Sequence, residues 1–218
     1  MPTAPLSEFK PLYHDHVRHD VIDVVPEVGG RLLDLGGGIG ATAAHIKALG
    51  KVDEAGTADM VDPQKAAGTL DFVYQGNLED EAFLEKVARE KGPFRIILAL
   101  DILEHLVDPW QTVRHLSAML EPGGRLIASI PNVRHWRASA RLMLGGTWDY
   151  AEDGILDRTH LRFFVRRTAV ALIEQGGLRI ESVGSTAASK RASLLRKLTF
   201  GLFASLTDMQ YVIVARKD

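Results

Sequence analysis

The chain has 218 residues and no cysteine, a formal net charge of −2, and ordinary globular proportions of 46% hydrophobic and 25% charged residues. That balance excludes a disulfide framework, a thiolate metal site and a cysteine nucleophile, and it offers no global basic charge for nucleic acid. The N-terminal MPTAPLSEFK lacks a basic-then-apolar leader pattern and no apolar run reaches membrane-span length, so the expectation is one cytoplasmic domain spanning residues 1–218.

In chain order, a helix-like segment around Tyr13 precedes RLLDLGGGIG at residues 31–40. Residues 31–35 read as a short buried strand ending in Asp34, and Gly36, Gly38 and Gly40 then alternate through a tight turn into a helix over 41–49. Such a turn lets backbone approach a ligand and aims free helix N–H groups at it. Asp34 adds a carboxylate just before it, which suits a cationic ligand better than a pyrophosphate. Gly36-x-Gly38-x-x-Ala41 also satisfies the relaxed dinucleotide fingerprint, with Asp59 at a plausible distance for a ribose acid, so the glycines alone leave a methyl-donor site and a dinucleotide site both open.

A second strand is expected over 55–61, closed by Asp62-Pro63, with a short helix at 64–67. A third strand covers 72–75, followed by a charged helix over 79–91 that stops at Gly92-Pro93. RIILAL at 95–100 is almost wholly apolar, as a central parallel strand should be. Asp108-Pro109 starts a helix whose face is marked by Trp110, Val113, Leu116 and Leu120. Residues 121–124 turn into a fifth strand over 125–130. After a break, a helix over 166–175 and strands over 178–183 and 210–215 complete the chain. This alternation predicts an α/β fold: a doubly wound, mostly parallel seven-stranded sheet with ligands beyond the carboxyl ends of the strands.

From Pro131 to Val165 the rhythm lapses for longer than an ordinary connection, which predicts a lid or acceptor-binding insertion after the fifth strand, over 131–165. Extended to Arg167, the stretch holds seven arginines, no lysine and four acids. Arg134, Arg137 and Arg141 recur at helical spacing. Guanidinium forks suit phosphate or carboxylate, so an anionic acceptor stands beside a solvated helix face as the two readings. Residues 189–206 pair Lys190, Arg191, Arg196 and Lys197 with leucines, predicting an amphipathic helix or helix pair that packs on its own domain or on a second subunit as a homodimer, in preference to a membrane surface.

Taken together, LLDLGGGIGA, LDILEHLVDPW (100–110) and LEPGGRLIASIPN (120–132) resemble class I S-adenosylmethionine-dependent methyltransferases. IPNVRHW and GTWDYAEDGILDRTHLRFF (146–164) resemble a bacterial subgroup related to ubiquinone-type O-methyltransferases and MetW-like proteins. The resemblance implies a methyl transfer from S-adenosylmethionine to a small-molecule or glycan-linked acceptor, at oxygen; the alternative it carries is a donor-binding regulatory or partner subunit with little catalysis of its own. It places the donor's amino-acid end on Asp34 and the backbone of Gly36, Gly38 and Gly40, with Tyr13 reaching its carboxylate. Asp59 takes the ribose, with Asp62 as competitor. Met60 flanks the adenine, and Asn77 and the Leu78 backbone read its edge. Asp101 and Ile102 pass along the methionine chain. Asn77 stands where an acid is usual, glycine replaces a common cysteine at Gly37, and Val165 replaces a common helix-capping threonine.

A hydroxyl acceptor gains from a base with a pKa near neutral, which points to histidine. His105, His135 and His160 are the candidates. His14, His16 and His19 lack a convincing ligand set, so no metal is expected. Apolar walls for the acceptor are expected from Trp136, Trp148, Tyr150, Phe163 and Phe164.

Overall fold

A computed structural model describes residues 16–185 and 204–218. Its strands are β1 (Arg31–Leu35), β2 (Glu54–Asp59), β3 (Phe72–Gln75), β4 (Phe94–Leu100), β5 (Leu120–Pro131), β6 (Arg179–Ser185) and β7 (Gln210–Arg216). Its helices are α1 (His19–Ile22), α2 (Ala41–Ala48), α3 (Glu81–Lys91), α4 (Pro109–Met119), α5 (Trp136–Gly145), α6 (Arg166–Gln175) and α7 (Ala204–Thr207), with 3-10 turns at Pro63–Lys65 and Leu103–His105. The strands form one sheet in the order β3-β2-β1-β4-β5-β7-β6, parallel except for β7, which runs antiparallel to both β5 and β6. The expected doubly wound, mostly parallel seven-stranded sheet is what forms.

Both faces of the sheet are covered, which is why its strands read as near-continuous apolar runs. Along β4, Ile97 and Ala99 join one core with Leu84 and Val87 of α3, Val113 and Leu116 of α4, and Leu172 and Ile173 of α6. Ile96 and Leu98 point the other way, to Val21 and Ile22 of α1 and Ala43 and Ile46 of α2. The period of two along a strand deals successive side chains to opposite cores. The chain order reverses between β1 and β4, so the crevice beyond their carboxyl ends is the place for a ligand.

Element edges follow local chemistry. Asp80 caps α3 by accepting from the Ala82 N–H at 3.0 Å, which starts the helix two residues later than its charged run suggests. Asp108 caps α4 through the Gln111 N–H at 2.9 Å. Leu120 belongs to β5, not to the α4 face, because β5 begins there and pairs Phe94 before its register shifts past Glu121–Gly124 to match Ile96 with Arg125. In place of the helix expected over 64–67, Pro63–Lys65 make a 3-10 turn, with Asp62 accepting from the Gln64 N–H at 3.0 Å. At α6, the missing cap at Val165 is offset from the other side, since the Thr168 hydroxyl accepts the Val165 N–H at 3.0 Å.

Residues 132–165 form the insertion between β5 and α6. It contains α5, and its contacts back to the domain include a bridge between Asn132 and Phe164 and the Glu104 carbonyl, which accepts from the Leu161 N–H at 2.8 Å and the Arg162 N–H at 3.0 Å. Among the described residues, no helix is long and apolar enough to cross a membrane. Tyr13 and the basic segment over 189–203 lie outside the described residues.

Candidate active site

The glycine turn after β1 is held in a conformation that side chains resist. Gly36, Gly38 and Gly40 have φ of 73°, 58° and 79°. A Cβ on Gly36 would lie 2.6 Å from Ile102 Cγ1, and one on Gly40 would lie 2.4 Å from Leu70 Cδ1. Gly37 is not an incidental replacement: a Cβ there would lie 2.4 Å from Asp34 Cγ. The turn therefore folds its backbone directly over the Asp34 carboxylate.

Asp34 is 2% exposed, and its Oδ1 has no hydrogen-bond partner. Burial, and secondarily the negative charge of Asp59, push its carboxyl up to about 7. An unpartnered buried carboxyl beneath an open glycine turn suits a cation that arrives with the ligand. Asp59, at the end of β2, accepts the Gly38 N–H at 2.8 Å and the Val61 N–H at 3.0 Å, which brings it to the turn. Asp62 is exposed and spent on the 3-10 cap. Met60 is 53% exposed beyond β2 and so is no core filler. Asn77 is also exposed, with its side-chain carbonyl accepting the Glu79 N–H at 3.0 Å, while Leu78 is buried at the edge of a cleft of about 310 Å³ between α3 and α4.

After β4 the chain turns sharply, with Asp101 at φ 52°. A polar network that sequence reasoning missed holds it there. The Ser129 hydroxyl and the Gln210 amide each donate to Asp101 Oδ1 at 2.9 Å, and the Arg18 guanidinium pairs with Oδ2. Arg18 also pairs with Asp20 at 2.8 Å. Its partners come from residue 101, β5 and β7, so no local pattern in the sequence gathers them. The one legible signal was position: residues 101, 129 and 210 all fall at strand ends on one edge of the sheet.

Three candidate bases have three different settings. His105, in the turn after β4, has Nδ1 3.2 Å from the Thr159 carbonyl and 3.1 Å from the Thr159 hydroxyl. Desolvation lowers its pKa, with the neighbouring His160 adding to the effect. His160 is buried; its Nδ1 lies 3.1 Å from the Ile155 carbonyl and its Nε2 3.9 Å from Glu104 Oε1. The two rings meet edge-on at 4.7 Å. His135 stands apart, buried, with Nδ1 accepting the Arg137 N–H at 3.3 Å as the cap of α5.

Glu104, on the same turn, is 1% exposed with both carboxyl oxygens unpartnered, and burial raises its pKa well above the usual carboxylate range. Ligand atoms of Glu104, His105 and His160 lie within 4.8 Å of one another, the arrangement among the described residues with reach for a cation.

The insertion closes over this turn. Trp148 meets Phe163 edge-on at 5.3 Å, and Tyr150 and His160 stand 6.5 Å and 6.3 Å from the same ring. Phe164, by contrast, belongs to the core, and Trp136 faces solvent. The arginines do not share one face: Arg134 precedes α5, Arg158 pairs with Glu152, and Arg162 donates to the Val107 carbonyl and covers Trp110.

The profile of the family described as "Methyltransferase domain" matches residues 13–183. A ubiquinone biosynthesis O-methyltransferase of Burkholderia lata is 27% identical over 98% of this chain and 90% of the relative, and one of Paraburkholderia phymatum is 29% identical over the same shares. In fold, the chain is similar to an S-adenosylmethionine-dependent methyltransferase of Mesorhizobium loti (TM-score 0.59, 16% identity, 89% of this chain and 94% of that one). It is also similar to a 1,6-didemethyltoxoflavin-N1-methyltransferase of Burkholderia thailandensis solved with S-adenosylhomocysteine (TM-score 0.58, 14% identity, 95% and 80%). With the glycine turn, the buried acid beneath it and the strand order all in place, the chain belongs to the methyltransferase-domain family and is a class I S-adenosylmethionine-dependent methyltransferase.

Proposed function

We propose that the protein methylates a hydroxyl oxygen of a small-molecule acceptor, with His105 as the base and His160 packed against it. The observation that carries this reading is the pairing of two histidines at the tip of β4, beside the crevice where the strand order reverses. S-adenosylmethionine, when bound, supplies an electrophilic methyl group; the rest of the chemistry falls to the chain. Asp34 and the glycine turn receive the amino-acid end. Asp59 receives the ribose. Met60, Asn77 and Leu78 border the adenine, and Ile102 packs against the methionine chain.

On the acceptor side, a His105 that donates its Nδ1 proton to the Thr159 carbonyl keeps the Nε2 lone pair for the acceptor hydroxyl. Its lowered pKa leaves it neutral, and so ready to accept a proton, at pH 7. Trp148, Tyr150 and Phe163 give the acceptor a flat apolar wall. His135, spent on its cap, is left out of the chemistry. The names of the two curated relatives, both ubiquinone biosynthesis O-methyltransferases, support oxygen as the target.

The test is turnover against a panel of catechols, phenols and sugar hydroxyls, reading methyl gain by mass spectrometry. A hydroxyl-methylated product whose formation collapses in His105→Gln, with S-adenosylhomocysteine affinity intact, is expected. Methylation only of amines or carbon, or full turnover in His105→Gln, would overturn the proposal.

A further inference from the structure

The first turn of α6 is left open. Its cap, Val165, has no side-chain acceptor, and the Thr168 hydroxyl that bonds the Val165 N–H leaves the first donors of the helix itself untouched. Among the described residues, the N–H groups of Arg166, Arg167 and Thr168 have no hydrogen-bond acceptor; the first that does is Ala169, which donates to the Val165 carbonyl at 2.9 Å. Donors gathered at the positive end of a ten-residue helix attract an anion. Water satisfies many such ends, so the surroundings decide whether a ligand is wanted there.

Tyr211 of β7 packs in the core that α6 shares, 1% exposed, and its hydroxyl is buried with no hydrogen-bond partner. That hydroxyl faces the Arg166 N–H. A buried hydroxyl without a partner lowers stability unless a ligand uses it. Arginines flank it from two segments. The Val133 N–H donates to the Phe164 carbonyl at 2.9 Å and Asn132 bridges Phe164, which sets Arg134 beside Arg166. Both arginines are exposed, neither has an ion-pair partner among the described residues, and the charge of each acts on the Tyr211 hydroxyl. The buried Asp208 acts on the same hydroxyl, so two positive charges there face one negative.

Donors thus converge from three directions: the helix end, a hydroxyl at its floor and two guanidinium forks beside it. A carboxylate has two oxygens in one plane and meets two of these. A phosphate group has three free oxygens in a tetrahedron and meets all three. We infer that Arg134, Arg166, Tyr211 and the N-terminus of α6 form a binding site for the phosphate group of a phosphorylated acceptor. Leu161 and Arg162, whose N–H groups bond the Glu104 carbonyl next to His105, precede Arg166 on the same short run of chain. The phosphate is therefore held at the root of the insertion that closes over His105. The inference rests on the reading that this insertion takes the acceptor, but not on which acceptor atom receives the methyl group.

The experiment has two arms. In the first, inorganic phosphate is titrated into the full chain at constant ionic strength and followed by phosphorus NMR. Saturable binding is expected, and Arg134→Gln and Arg166→Gln should each weaken it about tenfold or more, the scale of one charge-assisted hydrogen bond. Val165→Thr, whose hydroxyl takes up a first-turn N–H, should weaken it as well. S-adenosylhomocysteine affinity is the check on folding. Both arginines are exposed, so their variants stay informative should Tyr211→Phe fail to fold. In the second arm, turnover of sugar phosphates is compared with that of their unphosphorylated parents. The phosphates should show the higher kcat/KM, and that advantage should vanish when Arg134→Gln and Arg166→Gln are combined. The inference is overturned if phosphate does not bind saturably, if binding survives the two arginine changes together, or if phosphorylation gives an acceptor no advantage. The first arm needs no turnover, so a failure of hydroxyl methylation and a failure of this site are read separately.

Discussion

Residues 31–62 and residues 131–165, the segments proposed to take the donor and the acceptor, hold their polar and aromatic groups by different means. The proposed donor side is built from backbone: three glycines at positive φ, a carboxylate packed beneath them at Asp34, and Asp59 tied to a glycine N–H. The proposed acceptor side is built from side chains laid over one another: Trp148 on Phe163, His160 on His105, anchored by two N–H bonds to a single carbonyl. A backbone site tolerates little variation, because its glycines stand at positive φ that other side chains resist. A site of stacked side chains can change its lining while the sheet stays as it is. The difference teaches where to look for what this enzyme shares with other methyltransferases and where for what sets it apart.

Substitutions on the two sides should therefore separate turnover from donor affinity. The largest effect is expected at His105→Gln, which should lower turnover on a hydroxyl acceptor by about 10²–10⁴-fold, the usual contribution of a positioned base, and leave S-adenosylhomocysteine binding by calorimetry unchanged. Equal loss of both would place His105 on the donor side and erase the distinction. On the donor side, Gly36→Val forces a β-branched residue to φ 73° against Ile102. It should abolish measurable donor binding and lower unfolding stability by about 1–3 kcal/mol, read by thermal denaturation.

Asp59→Ala comes next, weakening S-adenosylhomocysteine by about 1–3 kcal/mol, whereas Asp62→Ala should leave affinity nearly unchanged because that side chain caps the 3-10 turn. The opposite ranking by calorimetry would give the ribose to Asp62. A smaller and pH-dependent effect belongs to Asp34. Its carboxyl is held protonated up to about 7, and a cationic ligand requires it ionised. Donor affinity should then rise by up to roughly tenfold per pH unit below that value and level off above it. Asp34→Asn should flatten the profile; an unchanged slope would show that another group titrates. In the free protein the sign is reversed: a raised carboxyl stabilises the fold at low pH, and that contribution fades as pH climbs from about 4 through about 7. The smallest effect is Val165→Thr, at the junction of insertion and core. It should add no more than about 1 kcal/mol to thermal stability, since Thr168 already bonds the Val165 N–H.

The same contrast explains what could be read from the chain alone. RIILAL is apolar on both faces because both faces of β4 are buried, so the central strand and its place in a parallel sheet were legible. DLGGGIG carried the donor turn because only glycine satisfies its dihedrals. The Asp101 network was not legible, since Arg18, Ser129 and Gln210 meet only through the sheet order. The arginine spacing marked α5 as a helix, but a helical period says nothing about which side the protein covers. Here it covers Ala138 and leaves the larger apolar side chains outside. The three histidines looked alike in sequence, and only the fold distinguishes a helix cap from a facing pair.

The carbonyl of Glu104 has a consequence for engineering. Because it receives both Leu161 and Arg162, and Asn132 bridges Phe164, the insertion is fastened at its two ends while the chain between residues 146 and 157 is not held by any of these bonds. Those two fastenings are natural boundaries for a graft. A foreign stretch that keeps Asn132 and the run from His160 to Phe164 would bring its own lining and leave the glycine turn and Asp34 as they are.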